Sequence, residues 1–174
     1  SFPTRRSSDL MRSGTTVLGI QYCFDHPAIA NAIICKGRDQ RVKTKLLMDH
    51  AQFEGPSCTA QTETLRDLFD WGCEMRTYKP SGGGFACLHA KVWIGEDEYT
   101  TGSVNTTKSG MSTNKEILLH AKSAIGAQQL RGWHEELWSA ASPITEERLR
   151  KIEEKKKTKR SQSLSRRPLR DEED

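Results

Sequence analysis

The sequence predicts an α/β domain in which helices flank a mixed β-sheet. Three observations carry this expectation. Thr15 to Phe24, TTVLGIQYCF, is a continuous β-branched and apolar run, the pattern of a strand buried on both faces. Runs with helical spacing alternate with such strands as far as residue 75. Two further strand-like runs then meet at an acidic turn, Gly95-Glu96-Asp97, which makes at least one pair an antiparallel hairpin.

Taken in order, the strand over 15–24 is followed by Asp25, Pro27 and the periodic set Ala28, Ile29, Ala32 and Ile33. That order predicts a helix capped by Asp25, and Gly37 is placed to end it. Val42 to Met48 predicts a second strand. Thr64 to Met75, with Leu65, Leu68, Phe69 and Trp71 or Gly72 at helical spacing, predicts a second helix. Pro80 to Gly84 reads as a flexible loop, a candidate lid, and lacks the Lys-Ser/Thr that would make its glycines a P-loop. Cys87 to Ile94 and Tyr99 to Ser103 form the hairpin, and Glu116 to His120 adds a short strand. Ala127 to Ala140, with Leu130, Trp133, Leu137 and Trp138, reads as an amphipathic helix whose tryptophans serve the core or a dimer surface.

A length of 174 residues suits one domain of roughly 100–150 residues with appendages. Cys23, Cys35, Cys58, Cys73 and Cys87 are odd in number and include no CxxC pair. Free thiols are expected, with neither a disulfide framework nor a zinc site, and no metal or cofactor is implied. No apolar stretch approaches the ~20 residues a membrane span needs.

The net charge of +4 divides unevenly. Residues 1–10, SFPTRRSSDL, match a translated sequencing adapter, read as an artefact carrying +1. Residues 151–174 hold nine Lys/Arg and six acids, a charged helix running into a disordered tail. Residues 11–150 are neutral, so net charge gives the folded part no nucleic-acid signature. The expected organisation is an artefact over 1–10, a folded domain over 11–141 and a charged helix and tail over 142–174. The tail is more simply a solvated extension than a specific binder, but it offers contact to anionic lipid or RNA.

The chemistry concentrates in residues 88–119. His89 and Lys91 lie two apart on an expected strand and so project from one face. The hairpin returns Gly102-Ser103-Val104-Asn105 alongside, with Ser103 and Asn105 again sharing a face. An imidazole, an ammonium, a hydroxyl and a carboxamide suit a phosphodiester: nucleophile or base, fixed cation, and neutral donors for phosphoryl oxygens. Glu116, on the next strand, is placed to hold the imidazole in one tautomer.

An HxK pair alone means little, because surface histidines near lysines are common. HxK, GSxN and NxE in order, here His89-x-Lys91, Gly102-Ser103-x-Asn105 and Asn114-x-Glu116, resembles the signature of the phospholipase D superfamily. The single copy is most similar to the one-motif members, the bacterial endonuclease and the animal mitochondrial cardiolipin hydrolase. The likeness extends upstream to IQYCFDHPAIANAI and to VKTKLLMD, which ends in Asp49, and covers about residues 15–140. Two departures stand out. Glu96, with Asp97 beside it, occupies the family's Asp position in the turn, and the turn is one residue shorter than usual. The family's first strand and helix are expected before Thr15, so the phospholipase D-like fold reads as truncated at its N-terminus.

The resemblance implies a phosphodiesterase working through a covalent phosphohistidine on His89. Lys91, Ser103 and Asn105 would bind phosphate, Glu116 would orient His89, and a homodimer would supply the second histidine. A cardiolipin-like phospholipid is the expected substrate, with single-strand endonuclease as the alternative. An inactive binding or scaffold protein on the same fold is the competing class. His26, His50, His120 and His134 share no motif and read as structural, and Trp93 as core.

Overall fold

In the computed structural model, which describes residues 15–55, 60–82 and 86–165, seven strands build one mixed sheet. They are Thr16–Gln21 (β1), Lys43–Asp49 (β2), Glu74–Tyr78 (β3), Lys91–Ile94 (β4), Glu98–Gly102 (β5), Leu118–Lys122 (β6) and Ser142–Pro143 (β7). Their order across the sheet is β6-β5-β4-β1-β2-β3-β7. The run β1, β2, β3 is parallel, while β4, β5, β6 and β7 each pair antiparallel. The helices are Pro27–Gln40 (α1), His50–Glu54 (α2), Thr62–Asp70 (α3), Lys108–Ser112 (α4), Ala124–Ala140 (α5) and Glu146–Ser165 (α6).

Alternation along β1 and β2 sends side chains into two cores. Val17, Leu46 and Met48 pack with Ile29 and Ile33 of α1, Phe53 of α2, Leu65 and Leu68 of α3, and Leu149 and Ile152 of α6. Leu18, Ile20 and Leu47 face the other way, onto Ala127, Leu137 and Trp138 of α5. Burial on both faces is why β1 reads as an unbroken apolar run. Gly19 sits at the sheet centre because a Cβ there would lie 2.6 Å from Cζ3 of Trp93, which the sequence placed in the core and which is buried.

Several boundaries differ from expectation, each for a local reason. The first helix starts at Pro27 behind His26, and the Asp25 carboxylate accepts from Lys108 N at 2.8 Å instead of capping. It runs past Gly37 to Gln40, where Arg41 turns left-handed at φ 55°. The second helix stops at Asp70; Gly72, at φ 79°, reverses the chain, and Met75 lies in β3. Trp71, expected on the helix's apolar face, is 59% exposed. The hairpin's first strand starts at Lys91, not Cys87, and the third strand starts at Leu118, not Glu116.

Beyond residue 141 the chain still packs against the sheet. Ile144, Leu149 and Ile152 belong to the main core, and α6 continues as helix to Ser165. Arg66 of α3 clasps it through Glu146 at 2.6 Å and Glu153 at 2.8 Å. The adapter reading of 1–10, the missing first elements, Cys58, the tip of the 80–84 loop and the tail after 165 fall outside the described residues. No helix among the described residues is long and apolar enough to cross a membrane.

Candidate active site

The topology brings the exits of β1, β2 and β5 and the entries of β4 and β6 to one end of the sheet. This is the carboxyl end of the parallel strands, where open α/β sheets leave a crevice for ligands. The turn residues Glu96 and Asp97 lie at the opposite end of the hairpin, where Gly95 N donates to Glu98 O at 2.8 Å and Ser123 N donates to Asp97 O at 2.8 Å.

His89 precedes β4 in an unpaired stretch and is exposed, while Lys91, the first residue of β4, is 6% exposed. The two still converge. The Lys91 ammonium donates to His89 O at 2.7 Å and lies 5.2 Å from the centroid of the Tyr22 ring. The His89 ring meets the same tyrosine edge-on at 4.7 Å. Burial pulls the Lys91 pKa below the ordinary lysine value, against the opposing pull of Cys23, Cys87 and Glu116. Burial pushes the neighbouring Cys23 thiol up to about 11, which keeps it protonated and unreactive at neutral pH.

Ser103, Asn114 and Glu116 form a second group. The Ser103 hydroxyl donates to one Glu116 oxygen, Asn114 Nδ2 donates to the other at 3.2 Å, and Ile117 N donates to Ser103 Oγ at 3.1 Å. These bonds, led by the one from Ser103, hold the Glu116 carboxyl below its ordinary pKa. Glu116 is thus bonded to Ser103 and Asn114 rather than to His89, the partner the sequence suggested. Gly102 makes the approach possible: a Cβ there would meet Ile117 O at 2.0 Å. Asn105 sits between Thr107 N, which donates to its carbonyl at 2.8 Å, and a buried side-chain oxygen with no hydrogen-bond partner among the described residues.

Three residues of this end carried no signal in the motif. Asp49, 1% exposed, accepts from Gln52 N at 2.9 Å with one oxygen and from Leu88 N at 2.8 Å with the other. Gln52 Nε2 in turn donates to the Tyr22 hydroxyl at 2.7 Å. Beneath them Trp93 Nε1 donates to Thr106 Oγ1, which donates to Gln21 Oε1 at 2.8 Å, so the floor is polar but satisfied. A strand ending in an aromatic and a strand ending in Asp were visible; their meeting was not.

Three of the other histidines have local partners. His120 bonds Glu98 at 2.8 Å, His50 lies 3.6 Å from Glu54, and His134 is buried against Trp138, its imidazole pushed down to about 4 by burial. The described residues include no group of three or more His, Cys, Asp or Glu placed to hold a metal ion. Cys23, Cys35, Cys73 and Cys87 are free thiols.

A family model described as cardiolipin synthase, PLD-like domain, matches residues 7–138. Among solved structures the chain is similar to Nuc, a phospholipase D family member from Salmonella typhimurium, at TM-score 0.67 and 21% identity over 79% of this chain and 87% of that one. It is similar to NucT from Helicobacter pylori at TM-score 0.66 and 18% identity, over 82% and 95%. Phosphatidylserine synthase from Haemophilus influenzae gives TM-score 0.63 and 15% identity, over 88% of this chain and 40% of that one. No curated protein matches the sequence. By family match and by fold together, this chain belongs to the phospholipase D superfamily.

Proposed function

We propose that the protein cleaves a phospholipid phosphodiester of the cardiolipin type in two steps through a phosphohistidine on His89. The observation that carries this is an exposed imidazole beside a buried lysine, with Ser103 and Glu116 at the same end of the sheet. The His89 imidazole attacks phosphorus; an N–P bond forms and the P–O bond to the leaving alkoxide breaks. A second imidazole gives its proton to that alkoxide, then takes one from a water that attacks phosphorus and releases His89. Lys91 neutralises the phosphoryl charge. The Asn105 amide and the Ser103 hydroxyl serve as neutral donors.

One chain has one such histidine, so the second belongs to a second copy across a twofold interface. Lipid is favoured over nucleic acid by a neutral 11–150 segment and by Ile117, 76% exposed directly beside Glu116. The basic residues of α6 and beyond fit an anionic membrane surface. The test resolves the protein by size and assays each fraction on cardiolipin vesicles and on single-stranded nucleic acid. Vesicle hydrolysis in the dimer fraction is expected. Cleavage of nucleic acid alone overturns the substrate, and full activity in a monomer fraction overturns the shared site.

A further inference from the structure

We infer that Asp49 is the positioning residue of this site, a buried carboxylate that fixes His89 from two directions. The inference rests on His89 being the reacting group, as proposed above. His89 lies in a stretch, residues 86–90, that has no strand pairing, and among the described residues no hydrogen bond holds its ring. Its backbone is held at its own carbonyl, which accepts from Lys91 Nζ at 2.7 Å, and through its neighbour on the other side. Leu88 gives its N–H to Asp49 Oδ2 at 2.8 Å and its side chain to the core beneath α5.

The second arm starts from the other oxygen. Asp49 Oδ1 caps α2 through Gln52 N at 2.9 Å, and Gln52 reaches the Tyr22 hydroxyl at 2.7 Å. Gln61 pins the same residue from behind, donating to Gln52 O at 2.7 Å while accepting from Phe24 N at 3.1 Å. The Tyr22 ring then meets the His89 edge and lies beneath the Lys91 ammonium. A carboxylate is required because both arms end in donors, and only a group with two acceptor oxygens satisfies both. An asparagine in the same place turns an NH₂ toward one of the two N–H groups.

The experiment compares full-length wild type, Asp49→Asn and Gln52→Ala, each labelled at histidine Cε1. The His89 resonance is assigned by its loss in His89→Asn, and turnover is measured on cardiolipin vesicles. In folded Asp49→Asn the His89 peak moves from its Tyr22-shifted position and kcat falls on the order of 10- to 100-fold with KM unchanged. Gln52→Ala moves the same peak by a smaller amount. A folded Asp49→Asn protein with the peak and kcat both unchanged overturns the proposal. If Asp49→Asn does not fold, an unmoved peak in Gln52→Ala overturns it instead. Full activity in His89→Asn would overturn the functional reading, and with it any catalytic consequence of Asp49, whereas an unmoved peak in folded Asp49→Asn overturns the positioning of His89 by Asp49 whatever the turnover.

Discussion

Lys91 and Glu116 face each other electrostatically across the site, and their environments push both pKa values down. The consequences for pH differ in sign. Lys91 must be protonated to meet phosphoryl charge, and burial makes it lose its proton below the ordinary lysine value of 10.5. The Glu116 carboxylate, held by Ser103 and Asn114, stays ionised below its ordinary value of 4.5, so the arrangement it organises persists into acid and fails only as pH falls through the lowered pKa. A profile of kcat/KM against pH is expected to show an alkaline limb below the ordinary lysine range and no loss attributable to Glu116 near its ordinary value. An alkaline limb at or above that range would mean that Lys91 is not the group whose charge is needed. At this scale the candidate site was legible: His89, Lys91, Ser103 and Asn105 stand out by type and spacing. Asp49 does not, because its bond to Leu88 spans 39 residues and depends on the β1–β2–β4 pairing that brings them together.

Elements differ in how much of their role the chain displays. Helix α6 carries charge all round, which reads as solvated, yet Leu149 is fully buried and Ile152 is 1% exposed. Two apolar residues three apart suffice to seat it against Leu65 and Leu68 of α3, while charged residues cover the rest. Leu149→Ala is expected to cost about 3 kcal/mol in urea unfolding, whereas Lys156→Ala, which breaks an ion pair to the 85%-exposed Glu63, should leave the midpoint almost unmoved. Equal losses from the two would mean that charge, not burial, docks the helix. The same contrast explains what reading along the chain missed. Helices α2 and α4 have five residues each, too few to show a period. Strand β3 lies hidden behind a helix that Gly72 ends, and β4 loses its expected first residues because Leu88 bonds a carboxylate rather than a strand. The buried strands β1 and β2 and the long helix α5 were plain, since their apolar patterns are long and unmixed.

For the whole molecule, one sheet end collects the exposed His89 imidazole, the buried Lys91 ammonium and the Ser103–Glu116 hydroxyl–carboxylate pair, with one copy of the His-x-Lys motif. The two-step mechanism proposed above needs two imidazoles, so it requires a second copy of the chain. In that proposal the neutral 11–150 segment holds the phosphodiester and the charged α6 meets the membrane surface. Every step depends on His89 forming a bond to phosphorus. The direct measurement is intact mass of the protein quenched in alkali during turnover of cardiolipin vesicles, where phosphohistidine survives. A phosphatidyl adduct on wild type that maps to His89, and is absent from an inactive His89→Asn variant, is the expected result. A His89→Asn protein that still hydrolyses the phosphodiester at the wild-type rate would contradict it.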